Sequence, residues 1–166
     1  MKSVLKYILI AFFCLLFVGC ESNNSDAILP LPTLSIPESM LNKDLKIIAP
    51  TIWNDFKTKE DFITLEITLV TNKQIVTAPD FNAEIYLYDD AVKEWKKIEN
   101  LANYDNPPDE IIMHQEDYNI LALVPDLSKT PASQNKVFIL VSGNVIENGS
   151  KTDKVIGTYI ILTLKP

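Results

Sequence analysis

The sequence predicts an all-β domain, a two-sheet antiparallel sandwich of about 7–9 strands, and three observations favour that architecture. Several short segments alternate apolar and polar residues with a period of two, as strands with one buried face do. Turn-forming residues interrupt these segments at short intervals along the chain. No segment carries the 3.6-residue apolar period of a convincing amphipathic helix.

The clearest strand lies between Asp61 and Val70, where Ile63, Leu65, Ile67 and Leu69 alternate with polar residues. This strict alternation indicates a sheet with one face in the core and one in solvent. The other predicted strands are Leu45–Ala49, Asn82–Tyr88, Lys93–Ile98, Ile111–Met113, Tyr118–Val124, Lys136–Val141 with a continuation to Ile146, and Val155–Leu164.

The connections between these strands are predicted from their turn residues. Residues 147–154, with Asn148-Gly149, predict a hairpin loop longer than the tight two-residue form. Trp53 and Phe56 lie in a turn-like segment after Pro50. Residues 37–41 predict a short helical turn.

The order of short strands resembles the broad immunoglobulin-like class of sandwiches. The resemblance is architectural only, because the cysteine pair that joins the two sheets of antibody domains is absent. An up-and-down barrel of the lipocalin type is the alternative architecture. Short and irregularly spaced strands favour the sandwich.

The first nineteen residues have the three parts of a secretory signal. Lys2 and Lys6 give a positive start, and residues 7–18 form an almost wholly apolar run. A membrane-spanning helix needs about 20 apolar residues, so this run indicates a cleaved signal. An ordinary signal peptide or an uncleaved anchor, with an incidental cysteine, is the alternative.

The end of the apolar run, Phe17-Val18-Gly19-Cys20, resembles the lipobox of bacterial lipoproteins. Phe17 stands where leucine is commonest in that family. The resemblance implies that Cys20 is acylated and becomes the first residue of the mature chain, anchored to a membrane by two or three acyl chains. It further implies a cell-envelope location, on the outer side of the cytoplasmic membrane or in the outer membrane. Glu21, in place of an aspartate, favours the outer membrane.

The predicted organisation is a signal peptide over residues 1–19, a lipidated cysteine with a tether over 20–44, and the sandwich over 45–166. Pro30, Pro32 and Pro37 favour extended chain in the tether. Apolar residues between these prolines allow a second interpretation, in which the segment packs along the domain as an edge strand or a strap. The sequence leaves both alternatives open.

Composition excludes several functions. The chain contains no arginine and has a formal net charge of −7. Without Lys2 and Lys6, 13 basic residues face 22 acidic ones, a net charge of about −9. Nucleic-acid binding requires a basic surface, so no nucleic-acid partner is expected. Cys14 lies in the signal, so the mature chain keeps only Cys20 and forms no internal disulfide.

Catalytic residues are not predicted, and neither are metal ligands or a cofactor. His114 is the only histidine, which excludes histidine-pair zinc motifs. Carboxylates cluster at residues 89–90, 105–110 and 116–117, but none of these clusters has a regular calcium-loop spacing. Solvated turns explain them better.

Tyr86 and Tyr88 project from the same face of one predicted strand, and Trp95 lies on the next. If exposed, these three side chains form an aromatic strip able to stack on sugar rings or to bind a protein. The preferred interpretation is a non-catalytic interaction or structural module with an envelope protein partner. Carbohydrate or cell-wall binding through the strip is the first alternative, and an envelope hydrolase is the second.

Overall fold

A computed structural model describes residues 29–41, 44–49, 63–104, 107–127 and 136–163. The chain divides into two units, Met1–Pro30 and Leu31–Pro166, and the fold described below is that of the second unit. The predicted signal, Cys20 and the segment with Trp53 and Phe56 lie outside the described residues.

The described part of the chain forms two antiparallel sheets and nine strands, which confirms the predicted two-sheet sandwich. The strands are β1 (Leu45–Ile48), β2 (Ile63–Leu69), β3 (Gln74–Thr77), β4 (Glu84–Asp89), β5 (Glu94–Ile98), β6 (Ile111–Met113), β7 (Tyr118–Leu123), β8 (Lys136–Glu147) and β9 (Ser150–Thr163). The short helical turn predicted over residues 37–41 is a 3₁₀-helix, Glu38–Met40. Among the described residues, no helix is long and apolar enough to cross a membrane.

The smaller sheet has three strands in the order β1-β2-β7. β2 alternates buried and half-buried residues along its whole length, as its sequence predicts. Its outward residues lie opposite those of β7, for example Glu66 opposite Ile120. One face of this sheet therefore closes the core, and the other is open to solvent.

The larger sheet has six strands arranged around the 12-residue β8. Along one edge, β8 pairs first with β4, at residues 137–140, and then with β3, at residues 144–146. Its other edge pairs with β9 in a long hairpin. β5 extends β4 and β6 extends β3, so that four strands lie beside β8 in two pairs.

Apolar residues from the facing sides of the two sheets form the core. The period of two selects them, because alternate residues of each strand project to the same side. Fully buried members include Ile63, Leu65 and Ile67 of β2, Leu121 of β7, Ile75 of β3, and Ile139 and Val141 of β8. Burial of this apolar surface is the main force that holds the sheets together.

The sequence pattern assigns no strand to residues 74–77, where the structure places β3. Only Ile75 and Val76 are apolar in this segment, and they are adjacent, so the segment shows neither alternation nor a longer apolar run. Its neighbours hold it, because Ile75 pairs with Met113 on one side and with Val145 on the other.

The predicted long loop after β8 is wrong, since β8 and β9 are joined by the two residues Asn148 and Gly149 alone. Both have positive φ, 53° and 77°, as the primed turns of two-residue hairpins require. The polar residues from Ser150 to Lys154 favour a loop by composition. They belong to β9 instead, where four of the five are exposed and Thr152 is half-buried.

Candidate functional site

The outer face of the six-stranded sheet, which points away from the core, is rich in aromatic side chains. Tyr86 of β4 lies directly opposite Phe138 of β8, with ring centroids 5.8 Å apart. Phe138 also stacks on Tyr159 of β9 at 4.8 Å and meets the edge of Trp95 of β5 at 5.8 Å. Aromatic pairs at such distances stabilise one another beyond their burial.

Residues 31–41, called the strap below, cross this outer face. Leu31, Leu34, Ile36 and Leu41 pack against a small cluster formed by Tyr86, Phe138 and Leu140. Leu41 then forms an isolated parallel bridge with Gly157 of β9. Of the two alternatives left open by the sequence, packing along the domain is therefore the correct one for these residues, and the compact unit begins at Leu31.

Gly157 allows the strap to approach β9 closely. A Cβ atom placed on Gly157 would lie 2.5 Å from Cδ1 of Ile36 and 3.0 Å from the carbonyl oxygen of Val141. Both distances are shorter than ordinary van der Waals contact, so a side chain at Gly157 would occupy the place of the Ile36 side chain. Because Gly157 has no side chain, Ile36 can pack directly on β9.

A buried carboxylate holds the strap by polar contacts. The backbone N–H of Ser35 donates to Oε2 of Glu84 at 3.3 Å, and Nζ of Lys97 donates to Oε1 at 2.8 Å. The hydroxyl of Tyr86 lies 2.7 Å from Oε2 of Glu84 and 3.0 Å from the carbonyl oxygen of Thr33, and its single proton can be donated to either oxygen.

These contacts keep Glu84 ionised under the strap. Burial disfavours the charged form, but the hydrogen bonds from Lys97, Tyr86 and Ser35 outweigh burial and lower the pKa of Glu84 from 4.5 to about 2. Burial and the neighbouring Glu84 raise the pKa of Tyr86 well above its ordinary value, so its hydroxyl keeps its proton. Glu84 is therefore a charged acceptor for the backbone N–H of Ser35, and the Tyr86 hydroxyl keeps a proton that lies within reach of both Glu84 and the Thr33 carbonyl oxygen.

The three aromatic residues of the predicted strip do share one face. Tyr88 lies directly opposite Trp95, with ring centroids 5.0 Å apart. The exposure that an aromatic binding strip requires is absent, because Tyr86 and Tyr88 are 5% and 4% exposed, while Trp95 is half-buried. The strap packs against the cluster that contains Tyr86, and Trp95 packs against the same cluster. Packing of the apolar tether residues along the domain is one of the two interpretations that the sequence leaves open.

The remaining polar candidates lie at the surface. His114 is exposed in the turn between β6 and β7, where its Nδ1 lies 3.2 Å from Oδ2 of Asp117. The backbone hydrogen bond from His114 and its side-chain contact lower the pKa of Asp117. Within the described ranges, no three histidine, cysteine or acidic residues come close enough to hold a metal ion.

The sequence pattern does not single out Glu84, Lys97, Thr33 or Ser35. One signal is present, because Glu84 shares its strand face with Tyr86 and Tyr88, and a charged residue on an aromatic face requires a partner. Lys97 lies opposite Tyr86 on β5 and supplies that partner. The contacts from Thr33 and Ser35 span about fifty residues of sequence, and no local pattern encodes them.

Comparison with models of protein families, with curated proteins and with solved structures finds no match to this chain.

Proposed function

We propose that this chain is a lipid-anchored protein of the bacterial cell envelope whose β-sandwich is a non-catalytic interaction or structural module. The lipobox-like sequence that ends at Cys20 supports the anchor. The observation that supports an interaction module is on the outer face of the six-stranded sheet. There, an extended segment of the chain, the strap, packs against an aromatic cluster. A surface that holds such a segment is suited to protein recognition.

The anchor and the strap are close together in the chain. Ten residues, 21–30, separate Cys20 from Leu31, and at about 3.5 Å per residue they extend at most about 35 Å. Because the strap is part of the folded unit, the tether is limited to these residues. The proposed lipid on Cys20 would therefore keep the sandwich near its membrane, where the partner is proposed to be another envelope protein. We also propose that the sandwich belongs to the immunoglobulin-like class.

The other two candidate functions have less support. Sugar stacking requires open aromatic faces, and Tyr86 and Tyr88 are buried. A hydrolase requires a positioned base or nucleophile, and the single histidine of the chain is an exposed turn residue paired with Asp117.

Acyl labelling and membrane fractionation test the anchor. In the native host, the wild-type chain is expected to incorporate labelled palmitate and to remain with membranes after washing at high salt. The Cys20→Ala variant is expected to lose both properties, whereas the matched Cys14→Ala variant is expected to keep both. A Cys20→Ala protein that stays membrane-bound without label would overturn the lipid anchor.

A further inference from the structure

We infer that the outer face of β4, β8 and β9 is a groove for an extended apolar protein segment, and that the strap occupies it as an internal pseudo-ligand. This inference rests on the proposed function and specifies the chemistry of the partner. The partner supplies a segment of the same pattern as the strap, and that segment replaces the strap on the aromatic cluster.

The strap is bound as a ligand is bound, through side chains and a few directed hydrogen bonds. None of residues 31–40 belongs to a strand, and the bridge at Leu41 is isolated. By contrast, β4 and β8 beneath the strap are paired with neighbouring strands on both of their edges. The strap can therefore leave while the ladders of the sheet stay intact.

The contacts of the strap define a recognition pattern. Tyr86 contacts the carbonyl oxygen of Thr33, and Glu84 accepts from the backbone N–H of Ser35, two residues further on. Apolar side chains at positions 31, 34 and 36 lie around these two polar contacts and pack against the cluster. The groove thus takes an extended segment with apolar residues in this spacing and with a residue other than proline at the position of Ser35.

Glu84 gives this pattern its specificity. A buried carboxylate with one free acceptor position costs free energy unless a donor fills that position. The Ser35 N–H fills it in the strapped form, and a competing segment must present an N–H at the same place. Proline prevents this because it has no N–H.

The strap has a modest affinity for the groove, because its apolar side chains are only partly buried. Leu31, Leu34 and Ile36 are each half-buried, since the strap forms the outermost layer of this face. A covalently attached segment nevertheless competes at an effective concentration in the millimolar range. On this inference, a partner at the same membrane competes with the strap through its raised local concentration, and the two segments exchange without a change in the sheet.

The experiment uses the full chain with Cys20→Ser and a fluorescently labelled peptide with the sequence of residues 29–41. Fluorescence anisotropy measures binding to this protein and to the same protein with Ser35→Pro, which lacks the N–H that Glu84 binds. We expect the Ser35→Pro protein to bind the peptide at least tenfold more tightly, because its own strap competes less well. The matched Ser39→Ala variant, on an exposed strap residue, is expected to behave as the parent protein.

Two further peptides test the recognition pattern. A peptide with proline at the position of Ser35, and one with aspartate at the position of Leu34, are each expected to bind the Ser35→Pro protein at least tenfold more weakly. Equal binding of all three peptides, or no binding by a Ser35→Pro protein whose circular dichroism is that of the parent, would overturn the groove. If Ser35→Pro perturbs folding, Ile36→Ala loosens the strap without a backbone change and is expected to give the same ranking.

Size-exclusion chromatography with light scattering tests whether a second copy of this chain, and not a partner protein, fills the groove. A monomeric parent protein supports a segment of another protein as the competing ligand. A dimer that Ser35→Pro abolishes would show that a second copy fills the groove and would overturn the inference. The anchor is tested separately, since peptide binding does not require Cys20. Failed peptide binding with intact Cys20-dependent attachment overturns the groove alone, and the reverse result overturns the anchor alone.

Discussion

The two outward faces of the sandwich meet solvent in different ways. On the three-stranded sheet, Thr64, Glu66 and Thr68 of β2 alternate with core residues, and Tyr118 and Ile120 of β7 are 60% and 61% exposed. On the six-stranded sheet, every residue of β4 is buried, and β8 is buried on both sides over most of its length. The first face is open to solvent and mixes polar residues of β2 with exposed side chains of β7, whereas the strap covers part of the second face.

This difference shows that the number of apolar faces of a strand sets how many layers must pack against it. A strand with one polar face needs a single apolar partner layer, and β2 has one. A strand that is apolar on both faces needs two layers. β8 receives the second layer from the strap, which lies about a hundred residues earlier in the chain.

The largest expected effect is at the centre of the strapped face. Phe138 is fully buried between Tyr86, Trp95 and Tyr159. Phe138→Ala is expected to lower the free energy of unfolding by about 3–5 kcal/mol, measured by urea denaturation. Tyr118→Ala on the other outer face is the matched control and is expected to change it by less than about 0.5 kcal/mol. Similar losses for both variants would mean that the two faces do not differ energetically.

The next effect concerns pH. Glu84 has a folded-state pKa of about 2 against an ordinary value of 4.5. A lowered pKa stabilises the folded state above the unfolded-state value, and this stabilisation is lost as the pH falls from about 4.5 to 2. The loss is expected to be about 2–3 kcal/mol, measured by urea denaturation across this range.

Glu84→Gln is the control for this pH dependence. The variant is expected to be less stable than the wild type at pH 7 and to lose less stability on acidification. If wild type and Glu84→Gln lose the same free energy between pH 5 and pH 2, Glu84 is not the group responsible.

A third, smaller effect concerns the close approach at β9. Gly157→Ala is expected to lower the free energy of unfolding by about 1–2 kcal/mol, because the new methyl group overlaps the position of Ile36. In an Ile36→Ala background the same change is expected to cost less, and a double-mutant cycle measures this coupling. Additive effects would show that the strap does not limit the space at Gly157.

The smallest effect is expected for the tyrosine hydroxyl. Tyr86→Phe removes the donor between Thr33 and Glu84 and is expected to cost about 1 kcal/mol of unfolding free energy. Tyr118→Phe on the exposed face is the matched control, with no expected change. If Tyr86→Phe is as stable as the wild type, the strap is held on the sheet by apolar packing and not by the hydrogen bond of this hydroxyl.

Local patterns predicted most of the strands. Alternation located β2 and β4, and the continuous apolar run from Val137 to Val141 located β8. The pattern missed β3, because its two apolar residues, Ile75 and Val76, show neither alternation nor a longer apolar run. It also predicted too long a loop at Asn148-Gly149. In both places the polar or short segment is a strand only because a neighbouring strand pairs with it.

The candidate site could be predicted only in part. The shared face of Tyr86, Tyr88 and Trp95 follows from the period of two and from strand adjacency. Their burial does not, since it depends on whether the apolar residues of the tether pack or remain free. Prolines in extended chain are compatible with both outcomes, so the local sequence cannot decide between them.

The sequence by itself determined the strand-rich architecture, the one-sided alternation of β2, the acidic arginine-free composition and the lipobox-like ending at Cys20. These are properties of neighbouring residues, and short-range rules describe them. Only the tertiary structure decided that residues 31–41 are a strap and that Glu84 is its polar clamp. The physical reason is that these contacts join residues about fifty to a hundred positions apart, where apolar burial and the pairing of a buried charge act regardless of sequence distance.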